Sequence, residues 1–184
     1  MLKHFGLGFK LMVSPKKGWD EIGNLPYSPW LLAGFTLILS MGVFVSRSVG
    51  SAWMGMKFPW FLLEGLLFTL ICIGVSLSIG LVLIPCARFA RRPVGDSHAM
   101  KLALFSSMPL WVTGVLQVIP NNLVRAMVLL LSLGHCSYLL FRGLPVIFGT
   151  EPIHTLWLAL LASFVWVIGM SIMTQVFLGV AFVL

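Results

Sequence analysis

An all-α integral membrane fold, with five transmembrane helices preceded by a short interfacial amphipathic helix, is predicted by three features of this sequence. Five apolar segments, at about residues 30–46, 58–84, 102–119, 123–141 and 156–184, each come near the roughly 20 residues needed to cross a bilayer. The composition, 59% apolar and 9% charged, lies far from soluble averages of about 45–50% and about 25%. Unbroken runs such as Leu123 to Phe141 exclude the alternating strands of a membrane barrel, and backbone in hydrocarbon satisfies its own hydrogen bonds by forming helix. The connections between spans are short, about 17 residues at most, which leaves no room for a soluble catalytic domain between them.

Residues 1–29 form an N-terminal segment ahead of a five-helix domain of residues 30–184. No apolar run follows the first lysines, so this segment does not have the pattern of a signal peptide. Leu2, Phe5, Phe9, Met12 and Val13 recur at helical spacing while Lys3 and Lys10 lie on another face, the pattern of a short helix resting in the headgroup layer. Ser14 and Pro15 then restart the chain, the serine as N-cap and the proline at the first helical position, followed by Lys16, Lys17 and Trp19. Trp19, Tyr27 and Trp30 are of the residue types that favour the membrane interface. Two uses of the segment are open: anchoring the first span, or offering a docking surface to a partner.

Within the spans, polar groups are costly and therefore informative. Counting about 1.5 Å per residue from the span ends places Glu64 of span two, Gln117 of span three and Arg125 of span four in one layer near the outer boundary. The Glu64 carboxylate either snorkels to the headgroups or pairs, directly or through Gln117, with Arg125, the basic residue at its own depth within a span. On the inner side, Ser76, Ser78, Ser106, Ser107, His135 and Tyr138 fall at comparable depths. They form either a wet cavity or a set of packing contacts. Gly74-x-x-x-Ser78 and Ser76-x-x-x-Gly80 are small-residue pairs of the kind that lets helices approach. His135 is open to two readings as well, a hydrogen-bonded interior residue or a proton carrier. Pro109, in the middle of the third span, frees the carbonyl of Phe105 and predicts a kink repaired in part by Ser106 or Ser107. That bend serves either gating or static shape.

The basic residues give the orientation. With the N-terminus in the cytoplasm, that side holds Lys3, Lys10, Lys16, Lys17, Arg88, Arg91, Arg92, Lys101 and Arg142, against Arg47, Lys57 and Arg125 on the other. This positive-inside bias places the C-terminus outside. It also accounts for the net charge of +7 by basic loops facing an anionic leaflet, with no nucleic-acid partner required. Cys72, Cys86 and Cys136 are expected to be free thiols. No metal or other cofactor is expected: adjacent His135 and Cys136 point about 100° apart on a helix and have no partner ligand at i+3 or i+4. Nucleophile, base and metal come together at no recognisable spacing, so no enzymatic activity is expected.

Pro15 and Trp19 ahead of five spans, the Ser106, Ser107 and Pro109 group in the third, and Tyr138-Leu139-Leu140 followed by Gly143-Leu144-Pro145 after the fourth span resemble the Ypt/Rab-interacting-protein (YIP) family, in its small bacterial inner-membrane branch. Eukaryotic members of that family associate with small GTPases and with one another in vesicle traffic. This chain departs from them in having only 29 residues before its first span and no long acidic cytosolic region, so GTPase binding is not carried over. The resemblance implies a multi-pass protein of the bacterial inner membrane whose partners are the lipid bilayer and other membrane proteins or further copies of itself. A non-enzymatic membrane organiser or adaptor is the first expectation. A small transporter, channel or lipid-conducting protein with a cytoplasm-facing polar cavity is the alternative.

Overall fold

The computed structural model describes residues 2–26, 28–86 and 95–183, and the side chains among them except those of residues 2–5, 29, 31, 86, 170 and 172–183. Tyr27, Arg88, Arg91, Arg92 and Leu184, with the side chains of Leu2, Lys3, Phe5 and Cys86, lie outside that description. The described residues are mostly helical, without a strand: α1 (Leu2–Val13), α2 (Pro15–Gly23), α3 (Pro29–Trp53), α4 (Trp60–Cys86), α5 (Asp96–Ser106), α6 (Met108–Gly114), a 3-10 turn (Val115–Val118), α7 (Asn122–Phe148) and α8 (Pro152–Val183). Five segments are long and apolar enough to cross a membrane: Leu32–Trp53, Trp60–Pro85, Asp96–Val118, Asn122–Phe148 and Pro152–Gly169. The chain is an all-α multi-pass membrane protein.

The third span is the centre of the bundle, with 72% of its apolar window buried against 28% to 44% for the other four. Its α5 half packs on α4 and α7, and its α6 half on α3 and α7, while α8 closes the bundle against α4 and α7. The core follows from this arrangement: Leu102, Phe105, Met108 and Trp111 of the central span meet Phe35, Ile79, Leu139 and Leu140 from its neighbours, all nearly or fully buried. Phe35 stacks on Phe105 with ring centroids 5.9 Å apart. Large apolar residues also line the outward faces, among them Leu37, Met41, Val45 and Trp53 of α3. Each step of four residues turns about 40° round the helix, so these side chains spread over a broad outward surface in contact with lipid rather than water.

The central span is not one bent helix. Helix α5 stops at Ser106 and α6 starts at Met108, so Pro109 occupies the first turn of a new helix, where its missing N–H costs nothing. Both serine hydroxyls turn back to carbonyls of their own helix, Ser106 to Leu102 at 2.6 Å and Ser107 to Ala103 at 2.8 Å, rather than to the carbonyl of Phe105. The expected kink is therefore a helix break centred on Ser107.

Spans one and four both run about seven residues beyond the apolar segments that mark them. Helix α3 continues through Arg47 to Trp53, and α7 continues through Gly143, Leu144 and Pro145 to Phe148. The Gly-Leu-Pro stretch is thus part of a helix and does not follow it. Gly149, at φ 62°, ends α7 in the left-handed conformation that glycine adopts without penalty, its N–H bonding the Pro145 carbonyl at 3.0 Å. At the other end of α7, the Asn121 side chain accepts from the N–H of Val124 at 3.1 Å.

Helices α1 and α2 fold back onto one end of the bundle. The inward stripe of α1 is Leu7 and Leu11, whereas Phe9 and Val13 are exposed, so the face predicted to enter lipid is only partly the outward one. Gly8 lies against Met108 and Gly18 against Leu11, close approaches that a side chain at either glycine would obstruct. Trp19 is completely buried instead of sitting in the interface. Ser14 precedes α2 at the N-cap position, yet its hydroxyl makes no capping bond.

Candidate functional site

At the end of the bundle opposite α1 and α2, four spans bring polar side chains together. Gly65 of α4 packs on the Ser48 hydroxyl and leaves room for the Phe44 carbonyl, so α3 and α4 lie unusually close. That approach brings Arg47 onto Glu64. The Arg47 Nε donates to Glu64 Oε1 at 2.9 Å, its Nη2 donates to the same oxygen, and its Nη1 donates to Gln117 Oε1 at 2.8 Å. The guanidinium carbon also lies 5.0 Å from the centroid of the Phe68 ring. With side-chain exposures of 14% and 10%, this ion pair is largely removed from solvent.

Arg125 enters the same region from α7 but spends its donors elsewhere. Its Nε donates to the Ile119 carbonyl at 2.9 Å and its Nη1 reaches the Ser51 hydroxyl at 3.4 Å. The Nη2 atom lies against Gly50 with no hydrogen-bond partner. Both Arg47 and Glu64 are within electrostatic reach. The structure thus corrects the predicted pairing: Glu64 and Gln117 do share a layer and a cation, but that cation is Arg47. Arg47 interrupts the apolar run of span one and reads as a loop residue, whereas the helix carries it about six residues, or 9 Å, inside its own end. The signal that could have revealed it is the absence of any proline between Arg47 and Trp53, with Val49, Ala52 and Trp53 continuing an apolar face.

The inner polar set does not gather. Ser76 bonds the Cys72 carbonyl and Ser78 the Gly74 carbonyl, each at 2.8 Å, and Ser106 and Ser107 likewise bond within their own helix. Tyr138 is 48% exposed on the lipid-facing side. Its ring meets that of His135 edge-on at 6.1 Å, and the His135 Nε2 is buried without a partner. Of the two small-residue pairs, Gly80 packs on Met100 and Ala103 of α5, while Gly74 faces open space. Hydroxyl bridges between spans come from other residues, which the sequence did not single out: Thr113 with Ser132 joins α6 to α7, and Ser163 to Ser137 at 2.9 Å joins α8 to α7. Cys72 and Cys136 are buried free thiols.

At the α1–α2 end, the Trp19 indole N–H donates to the Leu139 carbonyl at 3.0 Å, and the ring lies directly over Gly143. Trp19 and Gly143, distant in sequence, therefore belong to one contact. Lys10 pairs with Glu21 across the two short helices, and the buried Lys101 donates to the Leu25 carbonyl at 2.7 Å, fastening the start of the third span to the chain leaving α2. Lys16, Lys17, Asp20 and Glu21 face outward. Comparison of the chain with protein-family models, with curated proteins and with solved structures finds no match.

Proposed function

We propose that this chain is a non-enzymatic organiser or adaptor of the bacterial inner membrane, similar to the small YIP-like proteins, with the α1–α2 end in the cytoplasm. The observation that carries the reading is the fixed seating of α2: Trp19 is buried and hydrogen-bonded to α7, so the charged face of Lys16, Lys17, Asp20 and Glu21 is held rigidly outward. A surface pre-ordered in this way loses little conformational freedom when a partner binds. The serine hydroxyls of the inner layer bond back to their own helices, which favours their use in packing. The partners are other membrane proteins or further copies of the chain.

A second reading, a small transporter or lipid-conducting protein, draws on a different observation, since Arg47, Glu64 and Arg125 are ionisable groups buried within spans. One pair of experiments separates the two. Crosslinking in native membranes followed by mild-detergent purification is expected to recover a reproducible partner that Lys16→Glu with Lys17→Glu abolishes. Proteoliposomes that move ions, small solutes or lipid at rates sensitive to Arg47→Gln, with no partner recovered, would overturn the adaptor reading.

A further inference from the structure

The cluster at the end opposite α1 and α2 is incompletely satisfied in a specific way. Arg125 is 3% exposed and its Nη2 donates to nothing; Glu64 is 9% exposed and its Oε2 accepts nothing, since both bonds from Arg47 fall on Oε1. The hydroxyl of Ser48, 4% exposed, is also unpartnered. These residues adjoin one another: Ser48 packs on Gly65 beside Glu64, and Ser51, three residues along α3, receives Arg125 Nη1. Leaving buried charged atoms unpaired costs more than leaving neutral ones unpaired. With Arg47 offsetting the charge of Glu64, an anion alone would balance Arg125 but leave Glu64 Oε2 without a donor, and a cation alone would leave Arg125 Nη2 without an acceptor. A group carrying an anion and an ammonium joined by a short linker suits both.

From this arrangement we infer that the Arg47, Glu64 and Arg125 cluster binds a phosphoethanolamine-type group, with its phosphate on Arg125 and its primary ammonium on Glu64 Oε2. Guanidinium is the side chain that best matches phosphate oxygens, and a primary ammonium brings three N–H donors to a carboxylate that a trimethylated ammonium lacks. The depth agrees with a headgroup: Arg125 lies about 5 Å, Glu64 about 6 Å and Arg47 about 9 Å inside their helix ends, at the boundary where phosphates meet hydrocarbon. The same chemistry could arrive on a lipid or as the free soluble compound. The site stands apart from the α2 surface at the other end of the molecule.

The test uses the full-length wild-type chain and varies the ligand, so that it does not depend on a variant folding. Native mass spectrometry in detergent mixed with equal amounts of phosphatidylethanolamine, its mono- and dimethyl derivatives, phosphatidylcholine and phosphatidylglycerol reads which lipid is retained. Expected is one retained lipid, with a preference for phosphatidylethanolamine over phosphatidylcholine of about tenfold or more that falls stepwise with methylation. Gly50→Ala, whose new methyl would displace Arg125, should abolish retention, whereas Lys16→Gln with Lys17→Gln should leave it unchanged. Free phosphoethanolamine at millimolar concentration, raising the melting temperature of delipidated protein when no lipid is retained, would support the site with a soluble occupant. Equal retention of the methylated series together with no effect of the free compound would overturn the inference and leave water as what bridges the unpaired atoms.

Discussion

Arg47 holds Glu64 through two donors on one oxygen and Gln117 through a third, so a single guanidinium joins spans one, two and three. Because the pair is largely buried, removing one partner strands a charge. Arg47→Gln and Glu64→Gln are each expected to destabilise by about 3–5 kcal/mol, and the double change by clearly less than the sum. Steric trapping in bicelles measures this; a coupling between Glu64 and Arg125 larger than that between Glu64 and Arg47 would restore the pairing expected from sequence. Gly50 makes an independent residue-scale case. A methyl there would overlap Arg125 Nη2 and come within 2.7 Å of both the Gln117 and Val118 carbonyl oxygens, two of the three being backbone that cannot swing aside. Gly50→Ala should cost about 1–3 kcal/mol, read by the same method.

Helices α1 and α2 show what a helical element can and cannot disclose in sequence. Their existence and the break at Ser14 and Pro15 are legible from spacing and proline chemistry. Which face is inward is not, because Leu7, Leu11 and Trp19 are as suited to an interface as to a core, and only the neighbours Met108, Leu139 and Gly143 decide it. The same ambiguity affects helix ends. Arg47 and the Arg142–Gly143 step interrupt hydrophobicity without interrupting helix, while Pro109 does break one and Pro145 does not. The docking of α2 is open to measurement. Trp19→Phe keeps an aromatic ring but loses the indole N–H and part of the buried volume, leaving the Leu139 carbonyl with one bond fewer beside a small void, and should cost about 1–2 kcal/mol. Gly143→Ala should cost more, since its methyl would meet both Trp19 and Leu102. Hydrogen exchange across 15–23 should quicken in both variants with that across α8 unchanged; no change in α2 would mean the indole bond contributes nothing to its seating.

Across the whole molecule, the two ends differ more in exposed charge than in total charge. Among the described residues, Lys10, Lys16, Lys17 and Arg142 are exposed at the α1–α2 end, where Lys101 is buried. At the opposite end Arg47 and Arg125 lie inside the bundle, which leaves Lys57 as the basic side chain exposed in the turn between α3 and α4. Since basic residues near span ends are the ones that resist translocation, this arrangement strengthens the expectation that the α1–α2 end is cytoplasmic and that five crossings put the C-terminus outside. Cysteine labelling tests it, provided the probed positions reach water. Ser51 is fully buried and unsuited, whereas Lys57 and Asp96 are exposed, one at each end of the bundle. In a Cys86→Ser background, Lys57→Cys should react with a membrane-impermeant maleimide in intact cells and Asp96→Cys only after permeabilisation, the buried Cys72 and Cys136 adding little background. Reaction of Asp96→Cys from outside, with Lys57→Cys protected, would invert the molecule and place the charged face of α2 on the outer surface.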